Sequence, residues 1–168
     1  RGVSDPVEIP TAVAAAGLAA ALALLARDRG EVRPAFQLLS YPMLDDRTAL
    51  RTDVDERDFR LWNNHANAFG WRSYTGHEPG SADVDPLAAP ARCEDLSGLP
   101  PAWIGVGTLD LFHDEDLAYA DRLRMAGVPC EVLVVEGAFH GFDSIRPGAG
   151  ITQRFRAAQA QALAPALA

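Results

Sequence analysis

The sequence predicts an α/β fold in which a mostly parallel sheet carries flanking helices. Three observations point there: short, continuous apolar runs of the kind buried on both faces of a parallel sheet, helical stretches alternating with them, and Gly or Pro at the junctions. At 168 residues, 48% of them hydrophobic and 23% charged, the chain can bury one sizeable core. Residues 1–168 are therefore read as a single domain.

The elements follow in order. Ala12 to Arg29 is built from Ala and Leu, the best helix formers, and Asp28 and Gly30 stand where a stop is expected. Pro34 to Tyr41 is a short apolar run closed by Pro42, a strand, and Asp45-Asp46-Arg47-Thr48 opens a polar loop after it. Residues 55–75 mix Phe59, Leu61, Trp62, Phe69, Trp71 and Tyr74 with Asn, Asp and Arg, which predicts one or two amphipathic helices. Pro79 to Pro101 is rich in Pro, Gly, Ser and Asp and reads as a wandering connection. A second strand runs from Ala102 to Gly107. The helix Asp114–Met125 has acids in its first turn and arginines in its last, complementing the helix dipole, with Gly127 as its stop. Pro129 to Val135 is a third strand and Gly150 to Leu163 a final helix. Strands separated by helices imply parallel βαβ units with right-handed crossovers.

Charge and cysteine content narrow the function classes. A net charge of -8 disfavours nucleic acid and anionic membrane surfaces, both of which call for a basic patch. The apolar run Ala12–Ala26 is shorter than the roughly 20 residues a bilayer span needs, so no membrane span is expected. Asp5 and Glu8 stand where a signal peptide would carry positive charge. Cys93 and Cys130 have neither CxxC nor metal spacing and read as reduced thiols, consistent with a cytoplasmic chain.

Asp110 follows the second strand and His140 the third. Reactive groups of a parallel sheet belong on loops outside the carboxyl ends of its strands. If these two strands are neighbours, the Asp110 carboxylate can orient His140 through Nδ1–H while Nε2 takes a proton from a serine hydroxyl. The residues alone leave a second reading open. A strand-end Asp is also an ordinary helix cap or turn residue, and a His beside Gly141 an ordinary surface or hydrogen-bonded histidine.

Longer words extend the pattern. Leu99-Pro100-Pro101 leads through a strand into Asp110-Leu111-Phe112-His113-Asp114-Glu115; Ala126-Gly127-Val128-Pro129 precedes the last strand; Gly137-Ala138-Phe139-His140-Gly141-Phe142 surrounds the histidine; Tyr41-Pro42-Met43-Leu44-Asp45 follows the first strand. In these words the chain resembles the hormone-sensitive-lipase-like carboxylesterases of the α/β-hydrolase fold, over what corresponds to their C-terminal half. The resemblance implies a partial α/β-hydrolase fold in which residues 55–98 form a helical and loop insertion between strands. It makes Asp110 the triad acid and His140 the triad base, with a small ester as substrate and no metal or organic cofactor. Asp114 and Glu115 are then helix N-terminal charges, His65, His77 and His113 surface residues, and Trp62, Phe69 and Trp71 packing residues.

One word of the family pattern is absent. Members place Gly-Asp-Ser-Ala-Gly-Gly before the helix that begins here near Leu18, whereas this sequence reads Pro10-Thr-Ala-Val-Ala-Ala-Ala-Gly17 and puts Val13 at the serine position. Valine has no nucleophilic oxygen. Asp5–Ile9 resembles the start of the nucleophile strand, but Pro10 would remove a ladder donor from it. Ser4, Ser40, Ser73, Ser81, Ser97 and Ser144 all lack the elbow context, and no His-Gly-Gly-type oxyanion loop occurs. The expectation is a truncated or inactive esterase whose half sheet leaves an edge open to self-association. The alternative is a non-catalytic interaction module on the same scaffold. A flavodoxin-like binding domain would need a phosphate-cradling Gly-rich loop after a strand, and none is found.

Overall fold

The computed structural model describes residues 11–168, with side chains from residue 16 onward. Ser4, the Asp5–Ile9 segment and Pro10 lie outside the described residues, as does the side chain of Val13. The described elements are α1 (Thr11–Arg29), β1 (Gln37–Ser40), α2 (Asn64–Thr75), β2 (Ala102–Leu109), α3 (His113–Met125), β3 (Cys130–Phe139), α4 (Phe142–Ile145) and α5 (Gly150–Leu163), with short 3-10 turns at Asp46–Leu50, Pro90–Arg92 and Ala164–Ala166. The strands form one parallel sheet in the order β1-β2-β3.

Alternation along the strands builds the layers, since successive side chains leave opposite faces of a sheet. Leu39, Ala102 and Ile104 pack with Ala20 and Leu24 of α1 and with Tyr119 and Leu123 of α3. Trp103 points the other way, onto Phe155 of α5, in a cluster that also holds Val106 and Phe142 of α4. A third cluster, Met43, Trp62, Trp71, Leu111 and Phe112, lies beyond the carboxyl ends of the strands. Small residues let α1 approach closely: a Cβ on Gly17 would stand 2.3 Å from the carbonyl oxygen of Met43. Among the described residues no helix is long and apolar enough to cross a membrane.

Four departures from expectation bear on the architecture. β1 is shorter than the apolar run because Tyr41, although its N–H still donates to the Gly105 carbonyl at 2.7 Å, turns the chain away with φ +39°. Of residues 55–75 only the second half is helical, capped by the Asn63 side chain on the Ala66 N–H and closed by left-handed Gly76. The polar loop after β1 holds a 3-10 turn fastened from outside, for the buried Asp46 carboxylate pairs with Arg92 at 2.6 Å and accepts the Gly80 N–H at 2.6 Å.

The fourth departure positions the site. β3 runs past the predicted Val135 to Phe139, with an irregularity opposite Gly107–Leu109 that pairs Leu109 with Phe139. Gly107 permits the close approach, since a Cβ there would lie 2.1 Å from the Ala138 carbonyl oxygen. His140 therefore stands directly at a strand end instead of out in a loop.

Candidate functional site

Because β2 and β3 are neighbours and Leu109 pairs with Phe139, the next residue on each strand is delivered to the same edge of the sheet. Those residues are Asp110 and His140. Asp110 Oδ2 lies 3.0 Å from His140 Nδ1, and both residues are only 3% exposed. The other carboxylate oxygen, Oδ1, accepts the Phe112 N–H at 3.0 Å. One side chain thus closes the turn into α3 with one oxygen and holds an imidazole with the other.

The imidazole is walled by aromatic rings. Tyr41 meets it edge-on at 4.7 Å between centroids, Phe112 edge-on at 5.4 Å and Trp62 tilted at 6.1 Å. Nε2 is buried and has no hydrogen-bond partner among the described residues. With Nδ1 facing a carboxylate, the Nδ1–H tautomer is favoured and Nε2 keeps its lone pair. That nitrogen can accept a proton from a hydroxyl brought to it, and the nearby carboxylate then stabilises the imidazolium.

The acidic run after Asp110 divides by depth. Asp114 is surface-exposed, bonded to His113 at 2.9 Å and Arg51 at 2.7 Å, and these two partners hold its carboxyl below the usual range. Glu115 departs from the expected role of a helix N-terminal charge. Its side chain turns inward, where Oε1 accepts the N–H groups of Leu44 at 2.7 Å and Asp45 at 3.1 Å and so fastens the loop leaving β1. Burial pushes its carboxyl up to about 8, outweighing those hydrogen bonds. Asp116 is fully buried, with neither carboxylate oxygen partnered among the described residues. Burial, then the neighbouring Glu115 and Asp110, raise it well above the ordinary carboxylate range. Helical spacing was the available signal, since Asp116 shares a face with the buried Tyr119, Ala120 and Leu123.

Other predicted positions fall as follows. His65 and His77 are exposed and His113 is partly covered beside Asp114. Trp62 and Trp71 are buried packing residues, while Phe69 is 47% exposed and contributes little packing. Sequence reasoning missed Tyr41 as a wall of the site, because an aromatic residue before a proline carries no signal of the ring it will face. No group of three or more His, Cys, Asp or Glu among the described residues is placed to hold a metal ion.

Comparison with known proteins agrees with this architecture. Residues 14–144 match the model of a family described as the alpha/beta hydrolase fold. The esterase LipI of Mycobacterium tuberculosis is 35% identical over 125 residues, which are 74% of this chain and 39% of that protein. The carboxylesterase NlhH of the same organism is 33% identical over 141 residues, 82% of this chain and 44% of that protein. Among solved structures, the esterase LipW from Mycobacterium marinum superposes with a TM-score of 0.80 at 39% identity, covering 92% of this chain and 48% of its own. A bacterial heroin esterase superposes with a TM-score of 0.81 at 37% identity, covering 91% and 49%. The chain spans less than half the length of these relatives.

Proposed function

Because the chain belongs to the α/β-hydrolase-fold family, among its hormone-sensitive-lipase-like carboxylesterases, we propose that Asp110 and His140 are the acid and base of an ester-hydrolysing site. The observation that carries this is the 3.0 Å contact between Asp110 Oδ2 and His140 Nδ1 beside a buried Nε2 with no partner among the described residues. In the reaction so read, a serine hydroxyl attacks the carbonyl carbon of a small carboxylic ester and its proton passes to His140 Nε2. The imidazolium returns that proton to the departing alcohol, and water, activated by the same nitrogen, then releases the acid. Asp110 holds the ring throughout. The sequence carries no Gly-x-Ser-x-Gly, so the 168 residues by themselves are read as inactive. A cytoplasmic location is proposed with this reading, supported by the unpaired thiols Cys93 and Cys130.

Restoring the elbow tests the assignment. The combined substitution Thr11→Gly, Ala12→Asp, Val13→Ser, Ala15→Gly and Ala16→Gly writes the family word into the start of α1, and p-nitrophenyl acetate is the substrate. The expected result is hydrolysis absent from the parent chain and lost again when His140→Ala is added. Hydrolysis in the restored chain that is indifferent to His140→Ala overturns the acid–base assignment. A second reading, the interaction module, draws on other observations: Leu18 and Leu22 of α1 are 46% and 60% exposed, and β1 pairs only with β2 among the described residues. It predicts no turnover and a stable dimer or hetero-complex in size-exclusion chromatography, and a monomer at all concentrations removes the self-association form of it.

A further inference from the structure

His140 is gripped on a side that Asp110 does not reach. Tyr41 sits directly after β1 with φ +39°, a region that a bulky L side chain occupies only when its surroundings hold it there. Its ring stands edge-on to the imidazole at 4.7 Å and stacks on Phe155 at 6.3 Å with 10° between the planes. Its hydroxyl donates to Asp143 Oδ1 at 2.8 Å. Asp143 lies three residues beyond His140 on α4, past Gly141, whose φ of +71° forms the bend. Arg156 of α5 secures the far side: its Nη2 donates to the Asp143 carbonyl at 3.1 Å and lies 3.8 Å from Asp143 Oδ2.

We propose that Tyr41 and Asp143 form a latch that positions the His140 imidazole, with Tyr41 as the positioning residue; this rests on the reading of His140 as the base. β1 and β3 are not neighbours in the sheet, so the Tyr41 hydroxyl bridges the end of β2 to reach the turn that carries the histidine. Asp110 fixes the ring at Nδ1, and the latch fixes the backbone from which the ring hangs. Together they leave the imidazole one orientation. Burial, and then the adjacent carboxylate, push the Tyr41 phenol up, so it stays protonated and remains the donor.

The test reads the order of the ring and not turnover, so its outcome is independent of the hydrolase assignment. The Nδ1 proton of His140 is followed by NMR, and its exchange with solvent is measured in the purified chain. Removing one donor from a charged acceptor should speed exchange by about tenfold in Tyr41→Phe. Asp143→Ala should match it, the double variant should be no faster than either, and Asp143→Asn, which keeps an acceptor oxygen, should stay closer to the parent. Urea midpoints are measured on the same samples. Exchange unchanged in Tyr41→Phe, effects of the two substitutions that simply multiply, or an acceleration fully accounted for by lost global stability would each overturn the latch.

Discussion

Replacing Glu115 by glutamine isolates the consequence of burying a carboxyl behind the loop that leaves β1. The carboxyl ionises near 4.5 when unperturbed and at about 8 in the fold, with burial as the main cause. Between those values the folded state holds a proton that the unfolded chain has released, so stability falls as pH rises. The slope is about 1.4 kcal/mol per pH unit, on the order of 3–5 kcal/mol across the whole interval. Glutamine keeps an oxygen for the Leu44 and Asp45 N–H groups but cannot ionise. Asp116 is raised chiefly by burial and next by Glu115, so removing Glu115 also lessens the Asp116 dependence, and the two effects act in the same direction. Urea unfolding of parent and Glu115→Gln at pH 5, 6, 7 and 8 should therefore show the variant gaining stability relative to the parent at each step. A difference that is flat with pH would refute the inward, neutral placement of Glu115 and return it to the exposed helix N-terminal role.

Two further substitutions probe the frame around the site. Gly107→Ala drives a Cβ into the Ala138 carbonyl at 2.1 Å, backbone against backbone, and should lower the urea-derived stability by about 2–3 kcal/mol and weaken the Asp110–His140 hydrogen bond seen by NMR. Arg92→Ala strands the buried Asp46 carboxylate, now held below the usual range because Arg92 and the Gly80 N–H outweigh its desolvation. The expected cost at neutral pH is about 3 kcal/mol, shrinking as pH falls through the carboxylate range, because the parent loses that pair on protonation.

The long elements are legible in the sequence because their signals are local. Ala and Leu runs make α1, the acids and arginines of α3 match a dipole, and α5 spans the predicted Gly150–Leu163. β3 outruns its apolar stretch because Glu136 and Gly137 carry weak strand propensity. They extend the strand only through its pairing with β2 and the Gly137 N–H on Thr108 Oγ1 at 2.9 Å. α4 is a single turn, too short to show a period. Glu115 escapes sequence reasoning for a related reason. A first-turn acid suits the dipole whether it faces water or the interior, and only the loop after β1, seventy residues away in sequence, settles which.

The kind of fold, and Asp110 and His140 as the residues to watch, are readable from the chain alone, since residue type, order and strand-end position are written along one dimension. How the two residues meet is a matter of three-dimensional packing. The adjacency of β2 and β3, the glycine that lets them close up at residue 107, and the three aromatic walls contributed by separate segments are contacts between residues far apart in the chain. Their energies depend on distance and burial, which local propensities do not encode.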